Sequence, residues 1–323
     1  MEETRKRLID LLSNHHQPYI SGQELSDKLQ ISRSAVWKHM NALKKEGYQI
    51  EGVTNKGYRI VTTPHELSET ALRWDLKTDW LGQQLIYQEQ VASTQIVAHD
   101  LAREGASHGT VVVAREQTKG RGRMRRYWES KDGLGLWFSS ILRPSGVEPK
   151  RASQLTLVAA VAIADYFAKN NIDIKIKWPN DLFINGKKLA GILTEMQAEQ
   201  DAVQYIILGI GINMNHQNQD LFESDRNKST SLHLESGQMF NLNQVLKDLL
   251  VELEAKFDLF IDEGFSKIKQ QWESYAYKLG EWVTVRTQEE WDAKVFGIDE
   301  DGALMVMDEN DKIHHLYSAE ILW

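Results

Sequence analysis

Apolar positions in the first sixty residues recur at helical spacing in three short segments, and each segment carries its own stop. Leu8, Ile9, Leu11 and Leu12 line one side of a stretch from about Glu3 to Asn14, with Arg5, Lys6 and Arg7 on the other, which predicts an amphipathic helix. Pro18 ends the connection. Ser21 caps a second helix, with Glu24 at capping-box spacing and Leu25 and Leu29 facing inward one turn apart, and this helix stops near Gln30. Ser32 caps a third from Arg33 to Glu46, with Val36, Met40 and Leu43 as its inner stripe and Gly47 as its end. The runs YQIEGV and YRIVTT then flank Thr54, Asn55, Lys56 and Gly57, the composition of a tight hairpin tip. Helix, short turn, capped helix and hairpin in this order are the parts of a winged helix-turn-helix. Its outward residues Ser32, Arg33, Ser34, Trp37, Lys38 and Asn41, with Lys56 on the wing, are the candidate DNA contacts. Arg, Ser and Asn suit base edges in the major groove, and lysines suit phosphates. A helical bundle with a solvated basic face is the plainer alternative.

Pro64 cannot continue a strand ladder, and the polar run after it marks a boundary near residues 62–72, giving a head over 1–64. From about residue 84 the pattern becomes short β-rich runs alternating with helices. LIYQEQV, VVVARE, LWFSSILR, IKIKWPND, KLAGILTEM and QYIILGIGINM read as strands. A helix from about Ser93 to Arg103, a nearly all-apolar one from Arg151 to Lys169 and a long amphipathic one from about Asn243 to Glu263 lie between or after them. The last carries Val245, Leu246, Leu249, Leu250, Leu253, Phe257 and Phe260 inward. The fold class is α/β (α+β), helices covering a mixed sheet.

Charge adds a distinction that the apolar pattern does not make. The first 64 residues hold ten Lys and Arg against seven Asp and Glu, a net of +3, whereas the rest contributes −11 to the overall −8. A basic head on an acidic body suits a module that meets a polyanion. The 323 residues contain no cysteine, which excludes disulfides, thiolate zinc sites, Fe–S clusters and a cysteine nucleophile. Neither a signal-like start nor an apolar run of membrane-spanning length is present, so a cytoplasmic protein is expected.

Three clusters carry candidate chemistry. In QTKGRGRMRRYW (Gln117 to Trp128), Gly120 and Gly122 would let backbone N–H groups approach an anion among Lys119, Arg121, Arg123, Arg125 and Arg126. Neither a Walker loop nor a dinucleotide-binding glycine fingerprint occurs. In Lys177 to Asp181 a Pro step separates Trp178 from Asn180 and Asp181, and the turn Asn185, Gly186 then leads to Lys187 and Lys188. Because strand residues alternate faces, one lysine of that pair should point inward, and Lys188 before the apolar LAGIL run is the candidate. Gly209 and Gly211 thin an apolar strand, for a ligand or for packing. Glu116, Asp181 and Glu195 could ligate a metal, but their spacing leaves the metal site unknown.

In combination, VASTQ (Val91 to Gln95), EQTKGRGR (Glu116 to Arg123), KWPND (Lys177 to Asp181), KKLAGILTE (Lys187 to Glu195) and GIGINMN (Gly209 to Asn215) resemble the biotin–protein ligases. With the head ahead of them, essentially the full length is similar to the bacterial bifunctional biotin ligase and biotin operon repressor family, the BirA type. That resemblance implies a catalytic domain over 65–277 and a small SH3-like β-barrel over 278–323, where WVTVRTQ, WDAKVFGIDEDG, ALMVMDEN and KIHHLYSAEILW read as short strands. It further implies a biotin site at Ser93, Thr94, Gln95, Gln117, Arg121, Gly122, Arg123 and Lys188, and adenylate contacts at Asn180, Asp181 and Asn213. Gln95 stands where some relatives have Asn; both amides donate and accept.

The implied substrates are biotin and ATP, with Mg²⁺. Biotin carboxylate attacks the α-phosphorus to form biotinyl-5′-AMP, and a lysine of the biotin carboxyl carrier protein then takes the acyl group. The carboxylate is already ionised, so the first step needs positioning and charge neutralisation rather than a base. Lys188, Arg121 and Arg123 are the catalytic candidates. The resemblance also implies operator DNA as a partner, biotinyl-5′-AMP as co-repressor and a ligand-promoted homodimer, with no membrane. Two rivals remain at this point: a biotin-sensing repressor without ligase activity, and the lipoate-ligase class, against which KWPND, GRGR and the head argue.

Overall fold

A computed structural model of the chain describes residues 2–13, 19–45, 47–54, 56–62, 67–144, 151–199, 202–221, 228–287 and 289–322. Asn14, Pro18, Glu46, Asn55 and Pro64, which the sequence reading used as ends and turns, lie outside them. The chain forms two compact units. One comprises Met1–Lys77 with Phe240–Lys247, and the other Thr78–Met239 with Asp248–Trp323.

In the first unit, helices α1 (Glu2–Ser13), α2 (Gly22–Leu29) and α3 (Arg33–Lys45) precede the antiparallel hairpin β1 (Gln49–Val53) and β2 (Gly57–Thr62). Their core is the predicted one: Leu8, Ile9, Leu25, Leu29, Val36, Met40 and Leu43, with Ile50 and Ile60 from the hairpin. Both caps act as expected, since Ser21 Oγ accepts from Glu24 N at 3.1 Å and Ser32 Oγ from Ala35 N at 3.2 Å. Gln30 ends α2 in the left-handed conformation, φ 55°. The unit extends beyond residue 64. It takes in α4 (Glu69–Arg73) because Ser68 N donates to Asn243 and Lys247 Nζ to the Trp74 carbonyl, which ties residues 67–77 to the 240–247 segment.

The second unit is built on a mixed seven-stranded sheet in the order β3-β4-β5-β9-β8-β7-β6, comprising β3 (Leu85–Val91), β4 (Val111–Gln117), β5 (Gly135–Leu142), β6 (Lys175–Lys177), β7 (Asp181–Ile184), β8 (Lys187–Glu199) and β9 (Ala202–Asn213). Only β3 and β4 run parallel, joined by α5 (Thr94–Arg103), as a crossover connection requires. Helix α6 (Ala152–Lys169) is buried almost all round, and the part of α8 (Leu242–Glu263) in this unit buries Leu249, Leu250, Leu253, Phe257 and Phe260 of the predicted stripe. Glu254 on α8 accepts the backbone N–H groups of Asp79, Trp80 and Leu81.

One expected strand is wrong. IKIKWPND is not continuous: β6 ends at Lys177, a turn over Trp178, cis-Pro179 and Asn180 follows, and Asp181 begins β7. Proline has no N–H for the ladder, so the chain turns there instead. The predicted turn at Asn185 and Gly186 is present, both with positive φ. After α7 (Leu232–Ser236) and α9 (Phe265–Tyr275), the C-terminal segment forms an antiparallel sheet, β13-β12-β11-β10-β14, from β10 (Trp282–Arg286), β11 (Glu290–Ile298), β12 (Leu304–Met307), β13 (Ile313–Leu316) and β14 (Glu320–Leu322). Among the described residues no helix is long and apolar enough to cross a membrane.

Candidate active site and nucleic-acid interface

The predicted ligand residues fall into two groups on the seven-stranded sheet. The first is a buried polar floor where α5 begins. Thr94 N donates to Gln117 Oε1 at 2.8 Å, Gln117 Nε2 donates to Ser130 Oγ at 2.7 Å, and Thr94 Oγ1 lies 2.8 Å from Ser139 Oγ. Ser139 Oγ in turn donates to Gln95 Oε1 at 3.1 Å. Ser93, Thr94, Gln95, Gln117, Ser130 and Ser139 are all buried, so this network fixes amide orientations in a low-dielectric setting. Ser130 and Ser139 were missed. Neither belongs to a motif, although the apolar neighbours of Ser139 in LWFSSIL mark it as a buried hydroxyl.

The floor explains one thinned glycine. A Cβ on Gly209 would stand 2.3 Å from Gln95 Oε1, so the longer amide lies where any other residue would place its side chain. Gly211 is vacated for a different group, since its Cβ would meet Trp128 Nε1 at 2.5 Å. Trp128 also lies against Gly191, and Lys188 Nζ stands 5.2 Å from the centre of its ring. Its indole N–H is buried without a hydrogen-bond partner among the described residues, a donor available to a ligand. Trp128 closes the run that drew attention for its charges, and the unassigned glycines on β8 and β9 were its signal.

The second group is the charged corner formed by β7 and β8. Lys188 Nζ pairs with Asp181 at 2.7 Å, both side chains about a quarter exposed. Arg123 donates to Asn180 Oδ1 at 3.0 Å, and Asn180 Nδ2 anchors to the Ile192 carbonyl at 2.9 Å. Lys177 joins this corner unassigned: burial lowers its ammonium from the ordinary lysine value, and the Asp181 carboxylate opposes that shift. One expectation changes. The Gly122 N–H already donates to the Arg126 carbonyl at 2.8 Å, so it is not a free anion donor. Asn213 Nδ2 donates to the Thr230 carbonyl at 3.0 Å, and Thr230 N donates to the Lys188 carbonyl at 2.9 Å. Asn213 is thereby linked through Thr230 to the backbone of Lys188. Arg121 is exposed, joined to Tyr127 by a backbone bridge.

Each metal candidate has another partner. Glu116 accepts from Gln90, Asp181 faces Lys188, and Glu195 lies 3.2 Å from His99, whose hydrogen bond is the leading reason that the Glu195 carboxyl sits below its usual value. No group of three metal-binding side chains occurs among the described residues. His216, after GIGINMN, is buried edge-on to Trp137, and desolvation lowers its pKa to about 4. The unfolded chain takes that proton near 6.5 and the folded one only near 4. The stability from neutral His216 is therefore complete above pH 6.5 and is lost as pH falls towards 4, on the order of 3 kcal/mol. Urea melts of wild type and His216→Gln should diverge in pH slope across that window; parallel slopes would exclude the effect.

In the head, α3 presents Arg33, Ser34, Trp37 and Lys38 to solvent, with Asn41 half-buried along the same helix and Lys56 exposed at the hairpin tip. Ser32 is committed to capping and also lies 2.9 Å from Ser34 Oγ. Trp37 is 59% exposed, an apolar group that the fold of this unit does not use.

Residues 4–59 match a helix-turn-helix domain, residues 87–213 the biotin/lipoate A/B protein ligase family, and residues 278–322 the biotin protein ligase C-terminal domain. The sequence is 46% identical over 319 residues to the bifunctional ligase/repressor BirA of Bacillus spizizenii, covering 98% of each chain. Identity to the protein of the same name from Escherichia coli K12 is 31% over 305 residues, 93% of this chain and 91% of that one. Among solved structures, the biotin protein ligase from Aquifex aeolicus in complex with biotin and ATP superposes with a TM-score of 0.65 at 32% identity, over 74% of this chain and 97% of that one.

Proposed function

The chain belongs to the bifunctional biotin–protein ligase and repressor family, and from that premise we propose how its two groups of site residues divide the work. It is a biotin–protein ligase carrying a DNA-binding repressor head. The buried floor of Thr94, Gln95 and Gln117 supports ligand recognition: a urea-like ring offers two donors and one acceptor, and these oriented amides and hydroxyls match both kinds. The corner of Lys188, Asp181, Asn180 and Arg123 supports the reaction. The observation that carries this reading is the Lys188 ammonium, held 2.7 Å from Asp181 and beside the Trp128 ring, which lies over Gly211, two residues from the Gly209 that Gln95 covers.

In the first step a carboxylate oxygen of biotin forms a bond to the α-phosphorus of ATP, and pyrophosphate leaves with the electron pair of the broken P–O bond. Two anions must meet. Lys188 would neutralise charge on the carboxylate and α-phosphoryl oxygens, and Lys177 and Arg123, both acting on Asp181 in the same corner, are the cations left for the leaving phosphates. In the second step the neutral ε-amine of the acceptor lysine attacks the acyl carbon, AMP departs, and the amine loses its proton. ATP would bring Mg²⁺ on its phosphates, and no carboxylate is assigned to the ion, since Glu116, Asp181 and Glu195 each face another partner. The ion would supply further charge neutralisation at the phosphates.

Incubation with biotin, ATP, Mg²⁺ and a biotin carboxyl carrier domain should add the mass of one biotinyl group to the acceptor. An unmodified acceptor alongside tight biotin binding would instead support a sensing repressor without ligase activity. Repression follows from the head: two copies joined in a homodimer bearing biotinyl-5′-AMP would place two α3 helices on an inverted repeat, gaining avidity that one lacks. Operator binding and ATP use both fit a cytoplasmic protein. Trp37→Ala should weaken operator binding by about 10-fold or more while leaving adenylation unchanged, because a large apolar contact with base edges or thymine methyls is lost. Gel-shift titration at fixed salt measures it, and equal affinities would remove Trp37 from the interface.

A further inference from the structure

The turn between β11 and β12 in the C-terminal sheet reaches the same corner that carries Asn180 and Asp181. Asp299 shapes this turn: Oδ1 accepts the backbone N–H groups of Asp301 and Ala303, both at 2.9 Å, and Oδ2 faces His315 Nδ1 at 2.6 Å. Gly302 has φ +85°, and a Cβ there would come within 2.8 Å of Leu157 Cδ1, so a side chain is opposed by both backbone and space. Held this way, the turn offers two carbonyls to the catalytic part of the unit. Gln154 Nε2 donates to the Glu300 carbonyl at 2.7 Å, and Trp178 Nε1 donates to the Gly302 carbonyl at 3.1 Å. Lys269 adds an ion pair to Glu300 at 3.0 Å.

Trp178 opens the short turn whose other end holds the charged corner. It is 4% exposed, so water does not readily replace the Gly302 carbonyl as partner of its indole N–H. Cis-Pro179 follows, then Asn180, which receives Arg123, then Asp181, which pairs with Lys188. A displacement of Trp178 has only one residue over which to be absorbed before it reaches Asn180. The seven-stranded sheet anchors the far side through Ile192, whose N–H donates to the Asn180 carbonyl.

We propose that the 299–303 turn is a positioning device for adenylation: the Gly302 carbonyl fixes the Trp178 indole, and Asp299 with His315 fixes the turn, so that Asn180 and Asp181 hold Arg123 and Lys188 in register. The inference deepens the ligase reading and rests on it. None of the four residues touches the reacting atoms; Trp178, Gly302, Asp299 and His315 are positioning residues. The C-terminal sheet thereby acts on the first half-reaction through the Gly302–Trp178 hydrogen bond, whereas the biotin floor centres on α5, β4 and β5.

Two substitutions test this in the full chain. Trp178→Phe keeps an aromatic ring and deletes the N–H. His315→Ala deletes the donor to Asp299 at a position remote from the ligands, and His315→Asn restores a donor close to that of Nδ1. Biotinyl-AMP formation at saturating biotin and ATP should fall by about 10-fold or more in Trp178→Phe and His315→Ala, by clearly more than biotin affinity falls, and recover in His315→Asn. Amide hydrogen exchange over 175–182 should quicken in His315→Ala and return in His315→Asn, a readout that needs no turnover. Unchanged exchange, unchanged rates, or biotin affinity falling in parallel with rate would overturn the proposal. A wild type that binds biotin but forms no biotinyl-AMP would refute the ligase reading, and the exchange data would still decide whether the turn holds the corner.

Discussion

Lys188→Ala should lower biotinyl-AMP formation by about 10²-fold or more, because a preorganised charge aimed at developing phosphoryl charge contributes on that scale. The substitution does more than remove a cation. Asp181, paired at 2.7 Å in the wild type, loses its nearest cation where two anionic substrates must approach, with Lys177 and Arg123 left to offset it. Asp181→Asn in the Lys188→Ala background should therefore recover part of the loss, and a double-mutant cycle isolates that share. Biotin-dependent exchange of pyrophosphate into ATP is the measurement. Exchange at wild-type rates in Lys188→Ala would remove this lysine from the reaction.

Gly209→Ala should reduce biotin affinity by roughly 10- to 100-fold, which corresponds to the 1–3 kcal/mol typical of overpacking a filled site. The added methyl would meet Gln95 Oε1 at 2.3 Å, and this amide cannot retreat without leaving Ser139. Stability should fall along with affinity, since a displaced amide in the buried floor loses its partner. Gly122→Ala is the contrast: its Cβ would meet nothing closer than 3.4 Å, so its melting temperature should match the wild type. Calorimetric biotin titration and thermal melts read both variants. Full affinity in Gly209→Ala would mean that Gln95 is free to move and is no part of the recognition surface.

The helices of the head, the buried α6 and the inner stripe of α8 could be read from the sequence because their burial repeats at helical spacing within each segment. Capping by Ser21 and Ser32 was equally local. The motif residues were legible as a set, and the floor at Thr94, Gln95 and Gln117 holds them as neighbours. The break of IKIKWPND at Trp178 was signalled by its proline but was outweighed by the run of β-formers. Ser130, Ser139 and Trp128 escaped notice because each acts across the sheet, against residues between about 10 and 80 positions away.

Alone, the sequence determined which segments are helix or strand, where the basic head ends its positive charge, and which side chains have suitable chemistry, since backbone preference and apolar periodicity are properties of near neighbours. Tertiary structure decided which groups meet. The folded sheets set Lys188 against Asp181, cleared Gly209 for Gln95 and Gly211 for Trp128, joined Asn213 to Thr230, and brought the Gly302 carbonyl to Trp178. Those pairings join residues far apart in the chain, and only the packing of the folded sheet brings such groups within hydrogen-bonding distance.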